Sequence, residues 1–563
     1  MSERPPLDLV LLWHMHQPEF RDQASGEFLR PWVYLHAVKD YSDMAAHLES
    51  HPGIRAVVNF TPILLDQIED YAAQFASGTL RDPLLRMLER PDLDHLSTQE
   101  REFILDSCFK ANHHRMIEPY PAYRRLSELY RFSLAQGGTA YLSGQYLGDL
   151  LTWYHIAWVG ETVRRRDETI ARLLAKSHGF HRDDRLALLQ LIGREVSRII
   201  PRYRALTESG RIELTTTPGH HPIGPLLLSF DSAREAAPEA PLPRAPHYPG
   251  GRQRASAHIA AAKLSHAQRF GAPPAGMWPA EGALSQGFAE LLAASGCCWT
   301  ASGEGVLANT LRRANPVLPD RAQYLYRPYR LEATGGPLAV FFRDDRLSDL
   351  IGFEYSKWHG SDAAANFVGE LAAIADAGNN GERPVVSIIL DGENAWEFYP
   401  YNGFYFLDEL YAALEKHPGI ACKTFAELSD KNTNATPLPA LVTGSWVYGN
   451  LATWIGSPDK NRAWDLLCEA KRSFDLVMAG HRLGAAEAEA ATRQLADCEA
   501  SDWFWWFGDY NPAESVAAFD RLFRRKLSHL YHLLHLPAPA ELATPVSLGN
   551  KYQELTTAMR RAS

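Results

Sequence analysis

Two histidines one residue apart end an apolar run near the N-terminus, in the stretch LLWHMHQPEF. Alternate side chains of an extended strand point to the same side, so His14 and His16 share one face. Such a pair can bind zinc, which needs three or four ligands, and His220, His221 and Asp391 follow other apolar runs that could supply the rest. The same pair can instead hydrogen-bond a polar ligand or form hydrogen bonds within a core. The neighbouring strand ends must decide between these chemistries.

Two carboxylates follow other apolar runs. Glu281 stands in GMWPAEG, where Trp278 offers a flat ring for stacking. Asp391 comes directly after four apolar residues in SIILDGENAWEFYP, where Trp396 shares its loop. Partial burial there would raise the pKa of Asp391 towards that of a general acid, although a helix N-cap is the alternative role. Two carboxylates on different strands suit the cleavage of a glycosidic bond, and a separation of roughly 5–5.5 Å would indicate retention of configuration.

A third polar strand end and the C-terminal part of the chain add further candidates. Arg343 and Asp344 in FFRDD could hydrogen-bond hydroxyl groups, restrain a catalytic carboxylate, or form an ordinary salt bridge. Tryptophans are dense in GSWVYGNLATWIG and SDWFWWFGDY, and flat rings stack well on apolar surfaces. Most of these rings must pack in a core. We expect a smaller set to line a groove, together with one acidic residue: Trp446, Trp454, Asp502 and Trp503.

Seven short apolar runs end in polar residues, and helical patterns separate them. Their bulky residues and lack of alternation indicate a parallel sheet that is covered on both faces. Repeated strand-then-helix units with polar residues at the carboxyl ends of the strands are typical of a barrel enzyme. We predict an α/β fold with an incomplete, TIM-like (β/α)7 barrel, and a doubly wound open sheet is the alternative. The runs are residues 8–17, 54–62, 211–221, 274–282, 297–305, 337–345 and 384–394.

Two further regions are predicted to be helical. An insertion at about residues 100–210 separates the second and third runs. After about residue 430, NTNATPLP is typical of a linker. We expect residues 1–430 to form the catalytic barrel with its insertion, and residues 431–563 to form a C-terminal α-helical domain that contributes to the active-site cleft.

The composition suits a large enzyme with a neutral substrate. The 563 residues exceed one ordinary core, and 57 basic against 67 acidic residues give a net charge of −10. This charge argues against a nucleic-acid partner and against an anionic membrane surface, and no apolar span of ~20 residues is present. The six cysteines form no C-x-x-C pair, and the N-terminus lacks the basic start of a signal peptide. We expect a cytoplasmic protein.

The motifs together resemble glycoside hydrolase family 57, whose members act on α-glucans. Five segments carry the resemblance in order, over about residues 8–535: HMHQP, TTTPGHHPIGPLL, GMWPAEG, ILDGENAW and GSWVYGNLATWIG. RPWVYLHAVKDY, FFRDDRLSDLIGFEY and NRAWDLL are similar to the α-amylase and amylopullulanase subgroup. The resemblance implies a (β/α)7 barrel followed by a helical region that closes over the site, in agreement with the strand count above.

The resemblance also implies roles for individual residues. Glu281 falls on the nucleophile of the family and Asp391 on its general acid/base, as in a retaining α-glucan hydrolase that needs no metal or other cofactor. His14, His16 and His221 fall on substrate-binding positions. The implied substrates are starch, glycogen and maltooligosaccharides, cleaved at α-1,4 bonds, and the sequence leaves cleavage at α-1,6 bonds open. His14 and His16 would then hydrogen-bond a glucosyl unit.

Two departures from the family pattern affect the expected subsites. The second motif, PGHHPIGPL, lacks the aromatic residue expected near His220, and DYNPAES after SDWFWWFG lacks the histidine usual there. One alternative keeps the same site but transfers the glucan to a sugar hydroxyl, as in a 4-α-glucanotransferase or a glycogen branching enzyme. Another is a zinc-dependent amidohydrolase or deacetylase that uses His14, His16, His221 and Asp391. A non-catalytic glucan binder is disfavoured because both carboxylates are present.

Overall fold

The computed structural model describes residues 7–377, 383–430 and 435–551. Ten strands form one sheet in the described part of the chain. Along the chain they are β1 (Leu7–Met15), β2 (Ala56–Phe60), β3 (Ile212–Thr216), β4 (Gly276–Met277), β5 (Trp299–Ser302), β6 (Tyr329–Ala333), β7 (Gly336–Phe342), β8 (Val385–Asp391), β9 (Ile420–Lys423) and β10 (Thr436–Pro437). Each of the seven predicted runs overlaps one of these strands, whereas β6, β9 and β10 were not predicted.

Seven of the strands run parallel in the order β7-β5-β4-β3-β2-β1-β8, which is the arrangement of a curled, incomplete barrel. At the seam between β7 and β8, the backbone N–H of Asp344 donates to the carbonyl of Ser387 at 2.8 Å. β9 pairs with the amino-terminal half of β1, and β6 is the antiparallel neighbour of β7. The predicted fold class is therefore confirmed.

Alternating side chains of β1 show how the sheet separates two cores. Val10 and Leu12 belong to a small apolar cluster inside the barrel, together with Trp278 and Trp299. Leu9, Leu11 and Trp13 belong to the large cluster under the surrounding helices. His14 shares the inner face of Val10 and Leu12 one step further on. The apolar interior therefore ends in a histidine at the carboxyl end of the strand.

Twenty-three α-helices surround the sheet in the described residues, and none of them combines the length and apolar character that crossing a bilayer requires. Those before β4 are α1 (Trp32–His36), α2 (Ser42–Ser50), α3 (Pro62–Ser77), α4 (Pro83–Glu89), α5 (Thr98–Ser107), α6 (Pro121–Ala135), α7 (Gly144–Trp158), α8 (Glu161–Arg166), α9 (Glu168–Lys176), α10 (Arg182–Glu208), α11 (Gly224–Leu228) and α12 (Gly251–Phe270). Those after β4 are α13 (Gln286–Ala294), α14 (Glu304–Ala314), α15 (Arg321–Tyr324), α16 (Asp345–Asp349), α17 (Gly360–Ala377), α18 (Phe404–Lys416), α19 (Phe425–Asp430), α20 (Pro458–Ala479), α21 (Ala485–Cys498), α22 (Asp502–Trp506) and α23 (Ala513–Leu533).

The connection between β2 and β3 holds eight of these helices, α3 to α10. The predicted insertion at about residues 100–210 covers α5 to α10. The C-terminal part contains α20 to α23. Of the predicted linker, residues 432–434 lie outside the described residues, and the two residues of β10 join the sheet beside β6. All six cysteines are free thiols.

Candidate active site

A cavity of about 720 Å³ lies at the carboxyl ends of the parallel strands. One wall comes from the barrel, because chain segments that follow parallel strands meet at one end of a barrel. The other wall comes from the C-terminal region. The predicted site residues that line the cavity are His14, His16, Glu281, Arg343, Asp391, Trp446 and Asp502.

His14, His16 and His221 form a stack, in which His14 and His16 line the cavity and His221 is buried and does not line it. The ring centroids of His16 and His221 are 3.8 Å apart, and those of His14 and His221 are 5.2 Å apart. His221 follows β3, and its backbone is left-handed, with φ 59°. This unusual conformation for a histidine is typical of residues held in place by functional sites. The structure thus brings together the three histidines that the sequence predicted.

The hydrogen bonds of the stack define its protonation. Asn59 Oδ1 accepts a hydrogen bond from His14 Nδ1 at 2.7 Å, so Nε2 of a neutral His14 accepts from His221 Nε2 at 3.2 Å. His221 Nδ1 then accepts from Ser501 Oγ at 2.8 Å. Burial, aided by the charge of His16, lowers the pKa of His14 to about 3 and that of His221 well below its usual value. Both rings are therefore neutral at physiological pH.

The C-terminal region holds the outer part of the stack through two consecutive residues. Ser501 pairs with His221 as described, and its backbone N–H also donates to the carbonyl of His221 at 2.9 Å. His16 Nε2 lies 3.0 Å from Asp502 Oδ1. Asp502 Oδ2 has no hydrogen-bond partner among the described residues.

Glu281 projects into the cavity from a strained turn after β4. Its backbone is left-handed, with φ 58°, which is unfavourable for any residue with a Cβ. Trp446 secures it twice: the backbone N–H of Trp446 donates to the Glu281 carbonyl at 3.1 Å, and Nε1 donates to Oε2 at 2.9 Å. Trp278, buried in the barrel, packs edge-on against Trp446 with centroids 5.3 Å apart. Trp278 therefore supports the residue that holds Glu281, and it does not line the cavity.

Asp391 ends β8, directly beside His14 of β1. Asn394 Nδ2 donates to Asp391 Oδ2 at 2.9 Å. Burial raises the pKa of Asp391, and the hydrogen bond from Asn394 and the charges of His16 and Arg343 oppose this rise without cancelling it. Gly392 is needed next to Asp391, because a Cβ there would lie 2.2 Å from Met15 Sδ. The loop thus exposes a carboxyl group that keeps its proton to a higher pH than usual.

The pair Arg343 and Asp344 divides between two roles. The Arg343 guanidinium lines the cavity, bonds Asp345 and Asp349 at 2.8 Å each, and lies 5.5 Å from the ring centroid of Trp446. The side chain of Asp344 is buried and accepts from the backbone N–H of Leu347 at 2.9 Å, which caps α16. Of the predicted roles, Asp344 takes the structural one: it forms a salt bridge with Arg321 at 2.7 Å, and because it does not line the cavity it is not a substrate-binding residue.

Three predicted binding tryptophans lie in the core instead of on the cavity surface. Trp396 packs against Trp13 with centroids 5.7 Å apart, and its Nε1 donates to the Gly392 carbonyl. Trp454 is fully buried. Trp503 is also fully buried, and its Nε1 donates to the carbonyl of Asp497 at 3.0 Å. These rings stabilise the loops around the site, and substrate contact is not supported for them.

Trp505 and Trp506 line the cavity, whereas Trp503 does not. The spacing of these residues in the sequence could have predicted this. Residues 502, 505 and 506 share one face of a helix because they are spaced i, i+3 and i+4. A helical interpretation of DWFWW places Asp502 and both of these rings towards the cavity and turns Trp503 away from it.

Glu393 is a second feature of the cavity that sequence reasoning did not assign. It lines the cavity and is buried, and its Oε1 accepts from the backbone N–H of His16 at 3.2 Å. Burial and the neighbouring Asp391 charge raise its pKa well above the usual value. Burial therefore favours the protonated form of Glu393, next to Asp391.

The residues do not fit the zinc set that the sequence suggested. Nitrogen and oxygen atoms of His16, His221 and Asp502 lie within 4.8 Å of one another, but neither His14 nor Asp391 joins this group in the described residues. Both ring nitrogens of His221 already have hydrogen-bond partners, His14 and Ser501. Only two groups then remain for an ion that needs three or four ligands.

The chain is similar in sequence to one known family and in fold to several solved structures. The sequence profile described as glycosyl hydrolase family 57 matches residues 10–438. No curated protein matches the chain. A GH57 branching enzyme from Thermococcus kodakaraensis, in complex with glucose, superposes with a TM-score of 0.57 at 15% identity, covering 94% of this chain and 90% of that one.

Two further structures share the fold. The α-amylase AmyC from Thermotoga maritima has a TM-score of 0.57 at 13% identity and covers 94% of this chain and 93% of its own. A 4-α-glucanotransferase from Thermococcus litoralis has a TM-score of 0.51 at 13% identity, and the match covers 94% of this chain and 60% of the glucanotransferase. The profile match extends over most of the chain and includes the cavity residues Glu281 and Asp391. The chain belongs to glycosyl hydrolase family 57.

Proposed function

We propose that this protein is a retaining α-glucan hydrolase of the α-amylase and amylopullulanase type. The observation that carries the proposal is that two of the cavity's carboxyl groups, Glu281 and Asp391, come from different strand ends and have different surroundings. Glu281 accepts a hydrogen bond from an indole N–H, which stabilises negative charge, whereas burial favours the protonated form of Asp391. One group is suited to attack and the other to donate a proton.

The reaction proceeds in two displacements. The Glu281 carboxylate attacks the anomeric carbon, the bond to the leaving oxygen breaks, and Asp391 gives its proton to that oxygen. Asp391, now a carboxylate, then takes a proton from water, whose oxygen attacks the same carbon and releases Glu281. The cavity-lining side chains of His16, Arg343 and Asp502 supply polar groups for the hydroxyls of the glucosyl unit.

Transfer to a sugar hydroxyl is the second candidate function. Part of the cavity wall is aromatic, and it includes Trp32, Trp505, Trp506 and Phe519. Such a wall excludes water and could hold a second glucan chain as the acceptor. Two of the proteins with a similar fold are named as a branching enzyme and a 4-α-glucanotransferase. Amide or ester hydrolysis is set aside because the family is one of glycosidases.

Product analysis separates hydrolysis from transfer. Maltotriose and amylose are incubated with the full-length protein, and Glu281→Gln serves as the inactive control. Hydrolysis yields shorter chains alone, whereas products longer than the substrate, or new α-1,6 branches, indicate transfer. Proton NMR of the first product formed tests the stereochemistry. An α-anomer supports the double displacement, and an initial β-anomer contradicts it.

A further inference from the structure

Three aromatic side chains outside the cavity are exposed. They stand on chain segments that start from residues lining the cavity. Trp358 is 45% exposed, Tyr401 57% and Tyr405 46%. Phe353 and Phe398 line the cavity, and from each of them the chain runs outward within five residues to Trp358 or to Tyr401. Aromatic groups that leave a site in this way offer stacking faces for a ligand longer than the cavity.

Several contacts hold these segments together. Arg115 Nε donates to the carbonyl of Phe398 at 2.9 Å, and its Nη2 donates to the carbonyl of Ser356 at 3.2 Å. Gly360, at the start of α17, lies so close to Tyr405 that a Cβ would meet the Tyr405 backbone carbon at 3.0 Å. The segment that carries Trp358 and the segment that carries Tyr401 and Tyr405 therefore form one continuous surface.

The backbone at Tyr401 is strained in a way that favours exposure of its ring. Tyr401 and Asn402 have φ 53° and 54°, and Gly403 follows with φ 73°. Two consecutive non-glycine residues in the left-handed region are costly and are a reason to look for function. Asn402 Nδ2 anchors this turn by donating to Asp43 Oδ2 at 2.8 Å. The turn exposes the Tyr401 ring.

Arg165 fixes the neighbouring ring. Its Nη2 donates to the Tyr405 hydroxyl at 2.9 Å, and its guanidinium carbon lies 4.1 Å from the centroid of the Phe404 ring. Tyr401 and Tyr405 meet edge to face, with centroids 5.5 Å apart. A fixed aromatic pair loses little conformational entropy when a ligand binds, in contrast to a mobile side chain.

We propose that Trp358, Tyr401 and Tyr405 form a binding surface for the part of a long α-glucan chain that extends beyond the cavity. The inference rests on the proposed function, because it takes the α-glucan as the substrate of the cavity. Uncharged sugar rings present apolar C–H faces that suit exposed aromatic rings. The surface then binds long glucan chains, and short oligosaccharides that fit within the cavity do not reach it.

The test compares Tyr401→Asn with a matched surface variant. Asparagine tolerates the left-handed backbone and removes the ring, so the turn is kept. Tyr141→Asn is the control, since Tyr141 is 98% exposed and lies in the helical insertion. Trp358→Ala provides an independent second variant should Tyr401→Asn not fold, and Tyr401→Phe, which keeps the ring, should behave as the original protein.

The variants are assayed on amylose and on maltotetraose. We expect Tyr401→Asn and Trp358→Ala to raise KM for amylose about three- to tenfold, the effect of losing one aromatic contact. We also expect unchanged kcat, unchanged kinetics on maltotetraose, and no effect of Tyr141→Asn. An amylose KM within about twofold of the original in both ring-deletion variants overturns the proposal, as does an equal loss on maltotetraose or in the Tyr141 control.

Retardation in native gels that contain glycogen measures binding without turnover. The original protein should be retarded, Tyr401→Asn and Trp358→Ala should be retarded less, and Tyr141→Asn should match the original. This readout separates the two proposals. If the protein cleaves no α-glucan but shows this pattern, the proposed reaction fails and the binding surface stands; equal mobility of all variants overturns the surface.

Discussion

The two proposed catalytic carboxyl groups, Glu281 and Asp391, are held in place by different parts of the molecule. Asp391 is bound by Asn394, three residues further along the same loop, at 2.9 Å. Glu281 is bound by Trp446, which lies 165 residues away in the C-terminal region. The proposed acid/base group therefore depends on its own strand and loop, whereas the proposed nucleophile depends on the docking of a distant segment onto the barrel.

The histidine stack, like Glu281, is held by residues of the C-terminal region. His16 pairs with Asp502, 486 residues away, and His221 pairs with Ser501, 280 residues away. The C-terminal region thus positions the nucleophile and two of the three histidines. We infer that damage to this region affects attack on the sugar, and that damage to the loop after β8 affects proton transfer.

Removal of the nucleophile should have the largest effect. We expect Glu281→Gln to lower kcat on amylose by on the order of 10⁴-fold or more, because no covalent intermediate can form. The amide keeps the size of the side chain, so thermal unfolding should stay close to that of the original protein. Unchanged turnover would remove Glu281 from the mechanism and end the comparison.

Removal of the proton donor should have the second largest effect. We expect Asp391→Asn to lower kcat by about 10²- to 10⁴-fold on amylose. The loss in the first displacement should be smaller on an aryl glucoside, whose leaving group needs little protonation. Equal losses in this step on both substrates would contradict the role of Asp391 as an acid. Pre-steady-state release of the aryl group measures this step.

The third prediction tests the hydrogen bond that Trp446 of the C-terminal region donates to Glu281. Trp446→Phe keeps a ring against Trp278 and removes the N–H donor of Glu281. Because a hydrogen bond to a charged group contributes about 1.5–3 kcal/mol, we expect kcat/KM to fall about 10- to 100-fold. The basic limb of the pH profile, which reports Asp391, should not move. A shifted limb would show that the two carboxyl groups are not held independently.

The smallest expected effect concerns the pH profile of the acid. Asp391 must be protonated to act, and burial raises its pKa, so activity should fall as the pH rises through this raised value. The hydrogen bond from Asn394 favours the carboxylate and lowers the pKa, so Asn394→Ala should move this limb to higher pH by less than about one unit. The pH dependence of kcat/KM measures the shift. Movement to lower pH would contradict the assigned hydrogen bond.

Much of the barrel could be predicted because hydrophobic runs determine buried parallel strands. All seven predicted runs overlap strands, and β6, β9 and β10 escaped because they are short or lie at the margins of the sheet. The tryptophans show the opposite case. Trp454 and Trp503 are the same residue type as Trp446, and residue type alone cannot tell which ring faces the cavity.

The sequence by itself determined which polar groups stand at the strand ends, since each follows an apolar run and the carboxyl ends of parallel strands meet on one side of a barrel. This is why His14, His16, Glu281, Arg343 and Asp391 reach one cavity. Only the tertiary structure decided what holds them. Hydrogen bonds between residues hundreds of positions apart depend on how the C-terminal helices dock, and local patterns carry no information about that docking.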